Sequence, residues 1–217
     1  MKSSGSCVIL GGGGHARMLI EILMINKIPI FGILDKDQNI VGKKIQGITV
    51  LGGDDKLPEL KNQASWFVIG LGGVGNNIPR QELFEYALSQ GFEPLTIIHP
   101  SAIISHWAKI GDGCQLLPGC IVNAGAQLGI NTIINSGAIV EHDCVIGNHV
   151  HIATNATLAS GIHVGDGSHI GAGSTIRQCL QIGEYAVIGA GSVVVKDVPV
   201  NTTVIGVPAK EIKRGKS

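Results

Sequence analysis

The sequence predicts two structural units in series: a small α/β domain over residues 1–97, then a parallel β-helix over residues 98–217. Two observations carry this. Strands alternate with helices up to residue 97, and from residue 98 an aliphatic side chain returns at every sixth position. The series runs Ile98, Ile104, Ile110, Leu116, Val122, Leu128, Ile134, Val140, Ile146, Ile152, Leu158, Val164, Ile170, Ile176, Ile182, Ile188, Val194 and Val200 without a miss. If a third of the positions in so apolar a chain were Ile, Leu or Val, chance would fill about six of these eighteen.

A period of six fits neither a helical stripe, which repeats at three and four residues, nor a pleated strand, which alternates at two. It fits a solenoid of hexapeptide repeats. Four residues after each aliphatic stands a second, mostly small residue, as at Ala102, Ala108, Cys114, Cys120, Ala126, Thr132, Ala138 and Cys144, which suits a tight corner. Glycine follows the aliphatic at Gly111, Gly129, Gly147, Gly165 and Gly183, eighteen apart, so three hexads make one coil and the section is triangular. Between five and six coils follow, about 25 Å of prism at roughly 4.8 Å per rung. Val198-Pro199 and Val207-Pro208 end the coils and leave a basic tail from Lys210 to Lys216.

The α/β unit follows from its punctuation. CVIL is a short buried strand, Gly11 to Gly14 a turn, and the next segment a helix in which Met18, Ile22 and Ile25 share a face with Leu19 and Leu23 close by. A second strand runs from Ile30 to Leu34 and ends at Asp35. WFVIGLGG holds another buried strand, PRQELFEYALSQG a helix opened by Pro79 and closed by Gly91, and EPLTII a last strand. Such alternation implies a parallel sheet.

Open α/β sheets bind ligands at the carboxyl ends of their strands, where Gly11 to Gly14 lie. Glycine lets a phosphate approach the backbone, and the helix start behind it offers free N–H groups. Asp35 stands about twenty positions on, where a dinucleotide site carries the acidic partner of a ribose, so a nicotinamide dinucleotide and a plain tight turn both remain open on this motif alone.

Composition narrows the partners. Sixteen basic against sixteen acidic residues give zero formal charge, and no basic stripe suggests nucleic acid. No apolar run approaches a membrane span, and the apolar stretch of MKSSGSCVILGGGG is too short for a signal peptide, so a cytoplasmic protein is expected. Five cysteines, an odd number, argue against a disulfide framework. Cys114, Cys120 and Cys144 fall on the inward small position, Cys7 on the first strand and Cys179 on a turn, with no zinc-ligand spacing among them. No metal is expected.

The hexad also orients the histidines. Positions 140 and 144 point inward, so His142 projects from a corner, and it alone of eight histidines has a carboxylate on each side, Glu141 and Asp143. A carboxylate beside an imidazole sets its tautomer and raises its basicity. His151 and His169 lie one coil apart, which stacks them on neighbouring rungs.

GGGGHA, then IIHPSAIIS, IVEHDCVIGNHVHI and GVPAK together resemble the hexapeptide-repeat sugar O- and N-acetyltransferases of bacterial surface glycans, the PglD and NeuD type, over almost the whole chain. The resemblance implies a Rossmann-like nucleotide-sugar domain followed by a left-handed β-helix, an exception to the right-handed crossover rule. It implies acetyl-CoA as co-substrate, a nucleotide-sugar acceptor and a homotrimer. It puts the general base on His142, with Asp143 as its partner or, Asp being one methylene shorter than the family's usual Glu, with Glu141 in that role. It puts acetyl-CoA against His151, Ser160, Gly171, Ala172, Gly189 and Ala190, the pyrophosphate on Gly13, Gly14 and His15, and the base or sugar near Asp35 and Lys36, with Gly70 on the same substrate side. The expected reaction is N-acetylation of the 4-amino group of a UDP-4-amino-4,6-dideoxy-GlcNAc type sugar. IGLGGVGNNIPR exceeds the family's usual short turn, so a GDP- or dTDP-linked sugar, or O-acetylation of sialic acid, stays open. A γ-type carbonic anhydrase would need histidines four apart, and a non-catalytic scaffold would leave EHDC unexplained.

Overall fold

The computed structural model describes residues 5–212, so the part of the basic tail from 213 to 216 lies outside the described residues. Contacts divide the chain into two units. Among the described residues, one comprises 5–72 and 79–97, and the other 73–78 and 98–212. The short segment Gly73–Ile78 thus belongs with the coils.

In the first unit β1 (Cys7–Leu10), α1 (Gly14–Ile25), β2 (Ile30–Leu34), β3 (Lys44–Ile45), β4 (Ile48–Gly52), β5 (Trp66–Ile69), α2 (Ile78–Ser89) and β6 (Glu93–Pro94) build a sheet of order β3-β4-β2-β1-β5-β6. The central strand β1 is wholly buried, as a strand with neighbours and helices on every side must be, and it pairs in parallel with both β2 and β5. The antiparallel β3–β4 hairpin was not foreseen, and only β4 joins the parallel set. Helix α1 buries Ala16, Leu19, Ile20, Ile22 and Leu23, while Ile25 is exposed and Met18 half-buried. The expected Met18–Ile22–Ile25 face is therefore displaced. In a helix this apolar two stripes overlap, and the sheet selects the one centred on Leu19 and Leu23.

The second unit is a parallel β-helix with three faces. Face one carries strands Ile97–Ile98, Gln115–Leu116, Ile133–Ile134, His151–Ile152, His169–Ile170, Val187–Ile188 and Thr203–Ile205, closed by the antiparallel Lys210–Glu211. Face two carries Ile103–Ile104, Ile121–Val122, Ile139–Val140, Thr157–Leu158, Thr175–Ile176 and Val193–Val194. Face three carries Lys109–Ile110, Gln127–Leu128, Val145–Ile146, His163–Val164 and Gln181–Ile182. Strand residues pair with those eighteen later, as Val140 does with Leu158, until the last rung, where the spacing shortens to sixteen, as between Ile188 and Val204.

The six-residue series forms the core from Leu116 to Val194, all buried, each side chain worth about 1.5–3 kcal/mol. Its two ends depart: Ile98 and Val200 are exposed, because neither has coils on both sides. The small column from Cys114 onward also points inward, and the corner itself lies one residue earlier. From Gly113 to Gly191 every sixth residue has a positive φ, including Asn131, Asp143, His149, Asn155, Cys179 and Tyr185. The glycines eighteen apart have a different cause. A Cβ on Gly129 would fall 2.6 Å from the Gly147 backbone, so that corner column must lack side chains for successive rungs to stack.

Candidate active site

His142 stands on the corner between faces two and three and is more than half exposed. Its ring Nδ1 lies 2.9 Å from the Asp143 carboxylate, and its backbone N–H donates to Glu141 at 3.2 Å. With Nδ1–H donated to Asp143, the neutral ring carries its lone pair on Nε2, the form required of a base. The two carboxylates thus divide their work: Asp143 engages the imidazole and Glu141 the main chain beneath it.

The fold builds this geometry locally. Asp143 sits at the positive-φ corner with φ 60°, a conformation Asp tolerates better than most side chains, and this swings its carboxylate back over the preceding residue. Room for it comes from the rung before: a Cβ on Gly125, φ +75°, would fall too close to Asp143 Oδ1 for any side chain there. Cys144, next in sequence, is buried and its thiol donates to the Ala159 carbonyl at 3.1 Å. Burial pushes that thiol up, and the Glu141 and Asp143 charges add to this against hydrogen bonds from the Ile162 and Gly161 backbone. A protonated, inward thiol is no nucleophile.

Ser160 stands one rung after His142 on the same corner, and the Gly161 N–H donates to the His142 carbonyl at 3.0 Å. Gly171, Ala172, Gly189 and Ala190 lie instead on the corner between faces one and two, across face two from His142. Ala172 and Ala190 are exposed there. Gly171 and Gly189 have packing reasons to be glycine, since a Cβ would fall too close to the Ile188 carbonyl and 2.5 Å from Ile205, respectively.

His151 is not brought to His142 in the same chain. It is buried on face one, with Nδ1 against the Gly73 carbonyl and Nε2 3.0 Å from the Asn135 amide. Its ring meets that of His169 edge to face at 5.0 Å, the rung-to-rung stacking the spacing implies. Burial lowers the His169 pKa. Asn77 completes the clasp of the 73–78 segment, donating to the carbonyls of Gly167 and Ser168.

In the α/β unit a cavity of about 540 Å³ opens beside the glycine turn, lined by Gly11, Asp35, Lys36, Asp54, Leu71 and Tyr86 among others. A Cβ at Gly13 or Gly14 would meet nothing within 4 Å, so nothing in the fold itself demands glycine there. Gly70 differs: its Cβ would collide with the Gly11 carbonyl, so its glycine serves the packing of β5 against the turn. His15 is half-buried and lies beside Gly72. Asp35 accepts from the N–H groups of Gly12, at 2.5 Å, and Asp37, at 2.8 Å, which pins the turn to the end of β2. Sequence reasoning missed Asp54 and also Arg80, a buried guanidinium that donates to the carbonyls of Ile69 and Leu71. No motif marks either, since both owe their position to the strand ends around them.

The bacterial transferase hexapeptide model matches residues 125–160 and 161–196, which places the coils in the hexapeptide class of transferases. The PglD N-terminal domain model matches residues 6–87. Among solved structures, a histidine-to-asparagine mutant of perosamine N-acetyltransferase from Caulobacter crescentus, in complex with CoA and GDP-perosamine, is 36% identical. It covers 97% of this chain and 98% of its own, with a TM-score of 0.91. The acetyltransferase domain of PglB from Neisseria gonorrhoeae, in complex with acetyl coenzyme A, is 33% identical at TM-score 0.87, covering 95% and 98%. GDP-perosamine N-acetyltransferase of Escherichia coli O157:H7 is 34% identical over 116 residues, 51% of this chain and half the length of that relative. The chain belongs to the hexapeptide-repeat sugar acetyltransferases, and its coils form the left-handed β-helix of that family.

Proposed function

We propose that the protein transfers the acetyl group of acetyl-CoA to the amino group of a nucleotide-linked amino sugar, with His142 as general base. The observation that carries this is the exposed His142 ring with Nδ1 held by Asp143, which leaves Nε2 as the acceptor. The sugar amine attacks the thioester carbonyl, His142 Nε2 takes its proton, and the tetrahedral intermediate collapses by breaking the C–S bond, the departing thiolate taking up a proton. An amine is already a competent nucleophile once neutral, so no acyl-enzyme is needed. Ser160, one rung on, is the nearest candidate for a backbone N–H toward the developing oxyanion.

The acceptor is a GDP-linked amino sugar in this reading. The solved relatives of 36 and 37% identity are complexes with GDP-perosamine, and this weighs against the UDP-linked sugar and against O-acetylation. Its pyrophosphate would rest on Gly13, Gly14 and His15, where a side chain is absent without structural need. The acetyl-CoA arm would follow the exposed turns at Ala172 and Ala190.

Those turns and His142 border opposite edges of face two, so a complete site needs a second copy, and we assign face two as the contact within a homotrimer. Its outward column is Ile103, Ile121, Ile139, Thr157, Thr175 and Val193, against Lys109, Gln127, Val145, His163 and Gln181 on face three. No helix among the described residues is long and apolar enough to cross a membrane.

The test is acetyl-CoA-dependent thiol release with GDP-, UDP- and dTDP-linked 4-amino sugars and with sialic acid, followed by the mass of the product. His142→Ala should lose about 10²-fold or more, the usual worth of a general base. Cys144→Ala should keep its activity. Undiminished turnover by His142→Ala removes the mechanism.

A further inference from the structure

The cavity of the α/β unit is lined both by apolar side chains, including Leu71, Pro79 and Leu83, and by carboxylates. The carboxylates are not equivalent. Asp35 has both oxygens engaged by the backbone N–H groups of Gly12 and Asp37. Asp55 and Glu82 are exposed to water. Asp54 is half-buried, as Asp35 is, but it alone of these four keeps a buried oxygen, Oδ1, with no hydrogen-bond partner.

We propose that this cavity holds the nucleobase of the acceptor and that Asp54 selects guanine, by accepting from its N1–H and its exocyclic amino group together. The inference rests on the nucleotide-sugar reading above and names the base within it. Guanine is the one common base that presents two adjacent donors on its pairing edge. Those donors match the two oxygens of a carboxylate as a fork matches a fork. Uracil and thymine present a single N–H between two carbonyl oxygens, which a carboxylate repels. Adenine and cytosine offer one donor beside a ring-nitrogen lone pair, so one oxygen of the carboxylate would face an acceptor. The apolar lining residues and the Tyr86 ring supply surface for a purine to cover.

The state of Asp54 fits this role. Burial pushes its carboxyl above the usual range, and the charges of Asp35 and Asp55 push the same way against Lys36. A donor pair placed on Asp54 relieves both the desolvation and the repulsion, whereas a second acceptor aggravates them. A buried acceptor left without a donor is costly, and binding of the matching base removes that cost.

Titration calorimetry of the full chain with GDP, IDP, UDP and dTDP, without acetyl-CoA, tests the assignment. GDP should bind at least about tenfold tighter than UDP or dTDP, and IDP, which lacks only the exocyclic amino group, should be weaker than GDP by about tenfold. In Asp54→Asn the GDP advantage over IDP should vanish, because the amide turns one acceptor into a donor. Should that variant fold poorly, the GDP-to-IDP ratio of the unaltered protein still decides the matter. Equal affinity for GDP and UDP, or an unchanged GDP-to-IDP ratio in a folded Asp54→Asn, overturns the proposal. Thiol release with a UDP-linked amino sugar alone would overturn guanine selection and leave the acetyltransferase reading intact. Failure of every nucleotide to bind would remove both.

Discussion

At the scale of single residues, the imidazole of His142 depends on a residue that touches no substrate. Gly125, one rung earlier, leaves the space in which the Asp143 carboxylate reaches Nδ1, and a methyl group there would stand against Oδ1. Gly125→Ala should therefore displace Asp143 and lower kcat by about tenfold to a hundredfold with little change in KM, because the imidazole loses the carboxylate that fixes its tautomer and orientation. A merely structural glycine would lower thermal stability and leave kcat of the folded protein in place, so the two measurements together distinguish the roles. His142 and its outward aim were legible in the sequence, since positions 140 and 144 had to point inward. The choice of Asp143 over Glu141 was not, because it turns on a φ of 60° at the corner, a torsion that no spacing encodes.

At the scale of elements, the coils were legible because one physical demand recurs at every rung: a buried aliphatic, a buried small residue and a corner with positive φ. The helix face of α1 and the β3–β4 hairpin were not, for their apolar residues satisfy more than one pattern until the sheet is present. Face one carries a buried histidine whose protonation opposes folding. His169 is buried against the His151 ring, beneath the segment clasped by Asn77, and burial lowers its pKa from the usual 6.5. The unfolded chain takes up a proton near that usual value while the folded chain resists until lower pH. Stability is thus fully present above about pH 6.5 and falls as the pH drops toward the folded value, by up to about 1.4 kcal/mol per unit for one proton. Urea unfolding between pH 5 and 7.5 should show this slope. His169→Gln, which cannot titrate, should flatten it by about one proton, and an unchanged slope would place the acid sensitivity elsewhere.

At the scale of the whole molecule, the division of labour among the three faces predicts assembly. The outward column is mostly polar on face three and mostly apolar on face two, so Ile121→Glu should turn the proposed trimer into monomers under light scattering and abolish thiol release. Gln127→Glu on face three should leave both unchanged. The sequence by itself determined the two-unit order, the triangular coil and the outward histidine, because period, side-chain volume and glycine spacing constrain each rung locally and repeat across the length of the prism. Only the tertiary structure decided which carboxylate holds His142, that His151 closes over Gly73 and Asn135, that Gly171 and Gly189 answer to the next coil, and that Asp54 lines the cavity beside the glycine turn. Those outcomes depend on contacts between residues far apart in the chain, whose partners are chosen by packing geometry and are carried by no periodicity.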